Sequence, residues 1–292
     1  MEREIVRDYV LALEASESAA NTVRVYGSQL RGFAEFMARQ GVTGWDRVTK
    51  EHCSTWIERA LKDSTRAMRH DAFTGFWPWL KQQGIVHTNP MEGLERPKEP
   101  KRAQSRLSEA DVRRLIETAR KQSKGLSGTR DVAIVELLYA TGVSSSELVA
   151  INVGDITWEW SQIHIEGGSH CERSVHMTAT AREAVERWLE QRKVERDTPT
   201  DDSPLFISLG KRQEPRRLPE RTVQTTVKEL GRSIGLEGVR PQTLRSSFAF
   251  HLLSRGADPE DVAELLGNVS GRNMMRYTRS SKRIHREHHP RP

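Results

Sequence analysis

The stretch ERPKEPKRAQSRLSEADVRRLIETAR, residues 95–120, divides the chain in two. Its first half, residues 95–106, combines two prolines with Lys98, Lys101, Arg102 and Arg106 and has no apolar periodicity, so it reads as a basic linker. Such a segment suits contact with phosphates and suits plain solvation almost equally well. The second half opens with Ser108 and, three residues later, Asp111, ahead of apolar residues at helical spacing. That is a helix-start signature, and it begins a new domain. The expected organisation is therefore an N-terminal domain over 1–94, the linker over 95–106 and a C-terminal domain over 107–292.

On the N-terminal side, Val23, Tyr26, Leu30, Phe33 and Met37 recur at helical spacing, and turn signals fall at Gly41, Gly44 and from Gly84 to Pro90. A domain of four or five helices follows. Phe73, Phe76, Trp77, Trp79 and Leu80, in FTGFWPWL, are expected as a packed helix face and not as a platform for stacked bases, and Trp45 and Trp56 are read the same way. On the C-terminal side helices dominate again, except at 156–177. There Ile163, Ile165, Val175 and Met177 alternate on either side of Gly167-Gly168, as strands of a small sheet do. A second basic stretch, KRQEPRRLPER at 211–221, includes Arg216 and Arg217. The tail IHREHHPRP carries three histidines, read as a solvated terminus and not as a metal site.

The formal net charge of +6 comes from 46 Lys+Arg against 40 Asp+Glu. The excess suits an anionic partner such as nucleic acid, but it also fits a slightly basic surface, so the position of the charges matters more than their sum. Cys53 and Cys171 lack the paired spacing of zinc sites or disulfide frameworks. No apolar run approaches the roughly 20 residues that span a bilayer, and the first residues are charged where a secretory signal needs an apolar core. The expectation is a soluble cytoplasmic protein with no cofactor, metal, membrane partner or small-molecule substrate.

Three strings carry a resemblance: YATGVSSSELVAINVGDI at 139–156, RPQTLRSSFAFHLLSRGADPEDVAELLGN at 240–268, and Arg276-Tyr277-Thr278. They resemble the two catalytic boxes and the nucleophile segment of the tyrosine recombinases, or phage integrases, nearest the XerC/XerD branch. NTVRVYGSQLRGFAEFM near the N-terminus resembles that family's core-binding domain. The resemblance implies a mainly α, two-domain C-shaped clamp. Its parts would be a helical, SAM-like core-binding domain and a catalytic-type domain of helices with a small β-sheet. It also implies double-stranded DNA as partner, with Lys98, Lys101, Arg102, Arg106, Arg173, Arg216, Arg217 and Arg240 as candidate DNA contacts.

Carried over residue by residue, the family's active site is largely missing. Where the family has a phosphate-holding arginine stands Ser144, and where it has the lysine that protonates the leaving oxygen stands Gly168. The histidine of its second box is Gln242, and the later histidine or tryptophan is Asn268. Arg245 and Tyr277 match. The family's reaction, attack of a tyrosine oxygen on a backbone phosphorus, depends on placed donors. Planar guanidinium forks suit the charge that gathers on the phosphorane, and a serine hydroxyl does not replace one. Losing a charge-stabilising donor and the general acid costs roughly 5 to 8 kcal/mol after discounting for non-additivity, about four to six orders of magnitude in rate. The expectation is a cleavage-deficient DNA-binding protein, an architectural or regulatory subunit acting beside an active recombinase or further copies of itself. The alternative is an active XerC-like enzyme with a rearranged site, in which His170 or Arg173 substitutes for a lost group.

Overall fold

A computed structural model describes residues 3–16, 18, 20–98, 106–166, 171–210 and 214–267. The chain divides into two compact units, Met1–Arg102 and Ala103–Pro292.

In the first unit the four long periodic runs become α1 (Arg3–Ala15), α2 (Ala20–Arg39), α3 (Lys50–Glu58) and α4 (Asp63–Gln82), with a 3-10 turn at Trp45–Arg47. The stripe expected on α2 is the buried one: Leu30, Phe33 and Met37 are wholly enclosed and Val23 nearly so, while Tyr26 is half-buried. Against it α4 sets Phe73, Phe76, Trp77 and Leu80, all at 0% exposure, so this aromatic run is core as expected. Phe33 meets Phe73 edge-on at 4.7 Å, and Trp45 meets Phe76 at 4.9 Å. These are the offset geometries that aromatic quadrupoles favour.

The second unit opens with α5 (Glu109–Gln122), where Ser108 Oγ accepts from the Asp111 amide at 3.1 Å, the cap that the spacing announced. Its central element is α6 (Gly125–Thr141), buried almost all round from Val132 to Leu138 because α5, α8 and α10 pack against it. The elements that follow are α7 (Ser145–Ala150), β1 (Ile156–Thr157), β2 (Gln162–Ile165), β3 (Arg173–His176), α8 (Ala179–Glu195), α9 (Glu220–Ser233), α10 (Pro241–Ser254) and α11 (Pro259–Leu265). The strands form one antiparallel sheet in the order β1-β2-β3, with Ile163 opposite Val175 on its buried face. Inside α6, the buried carboxylate of Glu136 is satisfied by Arg120 at 2.5 Å and by the Thr180 hydroxyl at 3.2 Å.

Each unit encloses its own apolar core, one centred on Phe33 and Trp77, the other on α6. Phe33→Ala is therefore expected to cost about 3 to 5 kcal/mol in the first unit and little in the second. Calorimetry should show one of two thermal transitions move down while the other stays in place.

Candidate nucleic-acid interface

α6 stops because Gly142 takes a left-handed turn at φ 66, ψ 14, and its amide closes back on Leu138 O. A Cβ at this position would run into the ring of Phe248, so glycine is required for the turn and for the space. Two residues later α7 begins with a reciprocal cap. Ser144 Oγ accepts from the Glu147 amide at 3.2 Å, and Glu147 Oε2 accepts from the Ser144 amide at 2.7 Å. Folded back in this way, the Glu147 carboxylate comes to lie between two arginines.

Arg173 on β3 donates from Nη1 to Glu147 Oε1 at 2.6 Å and from Nε to Leu265 O at 2.6 Å. Arg245, one turn into α10, donates from Nη1 to Gly142 O at 2.8 Å and to Glu147 Oε2 at 3.3 Å, and from Nη2 to Leu266 O at 2.5 Å. The three side chains are 4 to 9% exposed. Burial alone would raise the Glu147 pKa, but the hydrogen bonds from Arg173 and the Ser144 amide, with the charges of Arg173 and Arg245, hold it down at about 2. One Arg173 nitrogen, Nη2, is enclosed and has no hydrogen-bond partner among the described residues.

Ser144, Arg173 and Arg245 thus meet on one carboxylate, while Gln242 points outward from the first turn of α10. Arg173 is largely enclosed. The resemblance made it a candidate DNA contact; on β3 it shares the face of buried Val175, and its side chain turns inward to the acceptors that Glu147 and the end of α11 offer in a dry setting. Arg217 has a structural role of its own. It lies at the surface, but its guanidinium caps the end of α7, donating to the carbonyls of Val149, Ala150 and Ile151 and to Asn152 Oδ1. Lys98, Arg216 and Arg240 are exposed, and the guanidinium carbon of exposed Arg106 sits over the Phe250 ring, 3.9 Å from its centroid. Lys101, Arg102, Gly168, His170, Asn268, Tyr277 and the histidine-containing tail lie outside the described residues.

Glu147 was passed over in the sequence, although Ser144 and Glu147 stand in the Ser-x-x-Glu spacing of a capping box. Among the described residues no helix is long and apolar enough to cross a membrane, and no group of three His, Cys, Asp or Glu could hold a metal ion.

Residues 105–283 match the model of the phage integrase family, and residues 6–84 match that of the phage integrase N-terminal SAM-like domain. The chain belongs to the phage integrase family of tyrosine recombinases. Its sequence is 33% identical over 266 residues to the tyrosine recombinase XerC of Herpetosiphon aurantiacus, covering 89% of this chain and 85% of that one. It is 32% identical to XerC of Roseiflexus castenholzii, with 94% and 88% covered. Among solved structures, XerA recombinase aligns over 99% of both chains at 25% identity and a TM-score of 0.55. XerH recombinase bound to a palindromic difH substrate aligns over 91% of this chain and 78% of its own, with a TM-score of 0.75 and 18% identity, a likeness of fold.

Because the Glu147 pKa lies below its ordinary 4.5, its ion pairs stabilise the fold fully above pH 4.5, and that stabilisation is lost as pH falls toward 2. The difference is worth about 3 kcal/mol near neutrality. Glu147→Gln should destabilise the second unit by about that amount, since it leaves two enclosed guanidiniums short of their counter-charge. It should also flatten the pH dependence of stability between 4.5 and 2, measurable by denaturant unfolding across that range.

Proposed function

We propose that the chain is a DNA-binding member of the tyrosine recombinases that does not cut DNA, and that it serves as an architectural or regulatory subunit in recombination. The observation that carries this reading is the use made of position 144. A serine there ends in a hydroxyl that caps α7, where the family resemblance calls for a phosphate-holding guanidinium. Arg245, one of two retained positions, gives donors to Gly142, Glu147 and Leu266 and so binds three parts of its own domain together. Gly168 has no side chain with which to protonate a leaving oxygen, and Tyr277 would be a nucleophile without that help.

Double-stranded DNA is the proposed partner, in the cytoplasm, met by domains 1–94 and 107–292 on either side of the linker 95–106. Lys98, Lys101, Arg102, Arg106, Arg216 and Arg240 would neutralise phosphates, while an active recombinase or further copies of this chain would complete the assembly. That XerH was solved with its difH substrate and lambda integrase with a core site supports this partner. A second reading, an active enzyme, is favoured by one observation: Arg173 shares its carboxylate with Arg245 and has a nitrogen to spare.

A nicked suicide duplex separates the readings. The protein should retain the duplex with an affinity that falls steeply with salt, about a thousandfold from 50 to 200 mM if some six phosphates are neutralised. A denaturing gel should show no protein joined covalently to DNA, for the wild type and for Tyr277→Phe alike. An adduct formed by the wild type and absent from Tyr277→Phe would establish the active enzyme instead, and no retention even at low salt would remove DNA as the partner.

A further inference from the structure

The two ends of the connector are held by similar devices, one in each unit. In the first unit, the ring of His70 on α4, 8% exposed, hydrogen-bonds through Nε2 to Leu94 O at 3.2 Å. Beside it Arg96 forms a two-pronged ion pair with Asp71, at 2.8 and 2.9 Å. In the second unit, Ser247 on α10 accepts the Leu107 amide at 2.8 Å. The ring of His251, 6% exposed, hydrogen-bonds to the Leu107 backbone and to Tyr139 Oη, the latter at 2.9 Å. Arg106 stacks on Phe250, and Arg255 pairs with Glu109 at 2.8 Å just beyond.

A linker that only had to join two domains would not need a buried histidine and an oriented arginine at each end. Enclosed polar side chains that spend their hydrogen bonds on the backbone at the ends of a connector fix where that connector starts and stops. We propose that His70 and Asp71 in one domain, and Ser247, Phe250 and His251 in the other, are linker anchors that set the length of the tether between the domains. Between Arg96 and Arg106 the chain has nine residues, Pro97 to Ser105, a covalent reach of at most about 35 Å. Without the anchors, the tether would lengthen to the fourteen residues from Leu94 to Leu107. For a flexible tether the effective concentration of the second domain, once the first is bound, falls roughly as the 3/2 power of length, here about twofold. The anchors would thus be positioning elements for two-domain engagement of DNA, and that part of the proposal rests on the DNA-binding reading above.

The test uses the full chain and two readouts, amide hydrogen exchange without DNA and retention of a duplex at fixed salt. The variants are Asp71→Arg, Ser247→Ala, the two combined, and the charge exchange Asp71→Arg with Arg96→Asp. Exchange around residues 94–96 should quicken at least tenfold in Asp71→Arg and return toward wild type in the charge exchange. The Leu107 amide should quicken similarly in Ser247→Ala, and the combined variant, in which His70, Phe250 and His251 still hold, should lose duplex affinity by less than the roughly twofold reached when every anchor is gone, with both domain melting transitions preserved. Unchanged exchange at both ends would overturn the anchors. Faster exchange with unchanged affinity for a duplex that the wild type binds would overturn their positioning role. If the wild type binds no duplex, the DNA-binding reading fails by itself, and the exchange data still decide whether the anchors exist.

Discussion

A carboxylate taken out of water must be paired, and the side chain of Glu147 is paired from two directions at once. Arg173 reaches it from the sheet and Arg245 from α10, while the Ser144 amide closes the turn that brings it there. The second positive charge is met by carbonyls at two helix ends, Gly142 O at the close of α6 and Leu265 O and Leu266 O at the close of α11. Helix C-termini carry partial negative charge, so guanidiniums suit them. Removing any member leaves the others enclosed and uncompensated, which is why five elements separated in sequence keep one arrangement.

This arrangement explains how the fold accommodates a serine at position 144. The resemblance places a guanidinium at 144, but the local demand of the backbone there is for a helix cap, which serine meets well, contributing about 1 kcal/mol. Arg245 is needed for packing whether or not a phosphate is ever bound, so its presence alone is no sign of catalysis. A phosphate-binding arginine and a structural arginine look alike in a sequence, and they differ in where their donors go.

Much of the fold could be read directly from the sequence. The α2 stripe, the aromatic face of α4, the Ser108 cap and the Ile163 and Val175 strands each follow a local rule of period or capping, and local rules act within a few residues. The roles of Arg173 and Arg217 could not be read that way. Strand alternation turns a side chain toward one face, but whether that face is dry depends on what packs there, and for Arg173 this is Glu147, 26 residues away, and Leu265, 92 away. Arg217 finds its carbonyls 66 to 68 residues back along the chain. The basic linker was legible as a segment, while its attachment through His70 and Ser247 depends on partners 24 and 140 residues distant.

The ionisation of Glu147 is the direct test of an account in which one buried carboxylate organises the domain. With the glutamate carboxyl carbons labelled and Glu147 assigned through Glu147→Gln, its carbon-13 shift can be followed against pH in the folded protein. The account predicts that Glu147 stays ionised well below the ordinary 4.5 of a glutamate and titrates at about 2. A midpoint near the ordinary 4.5 would mean that Arg173, Arg245 and the Ser144 amide do not outweigh burial in holding the carboxylate ionised, and would contradict it.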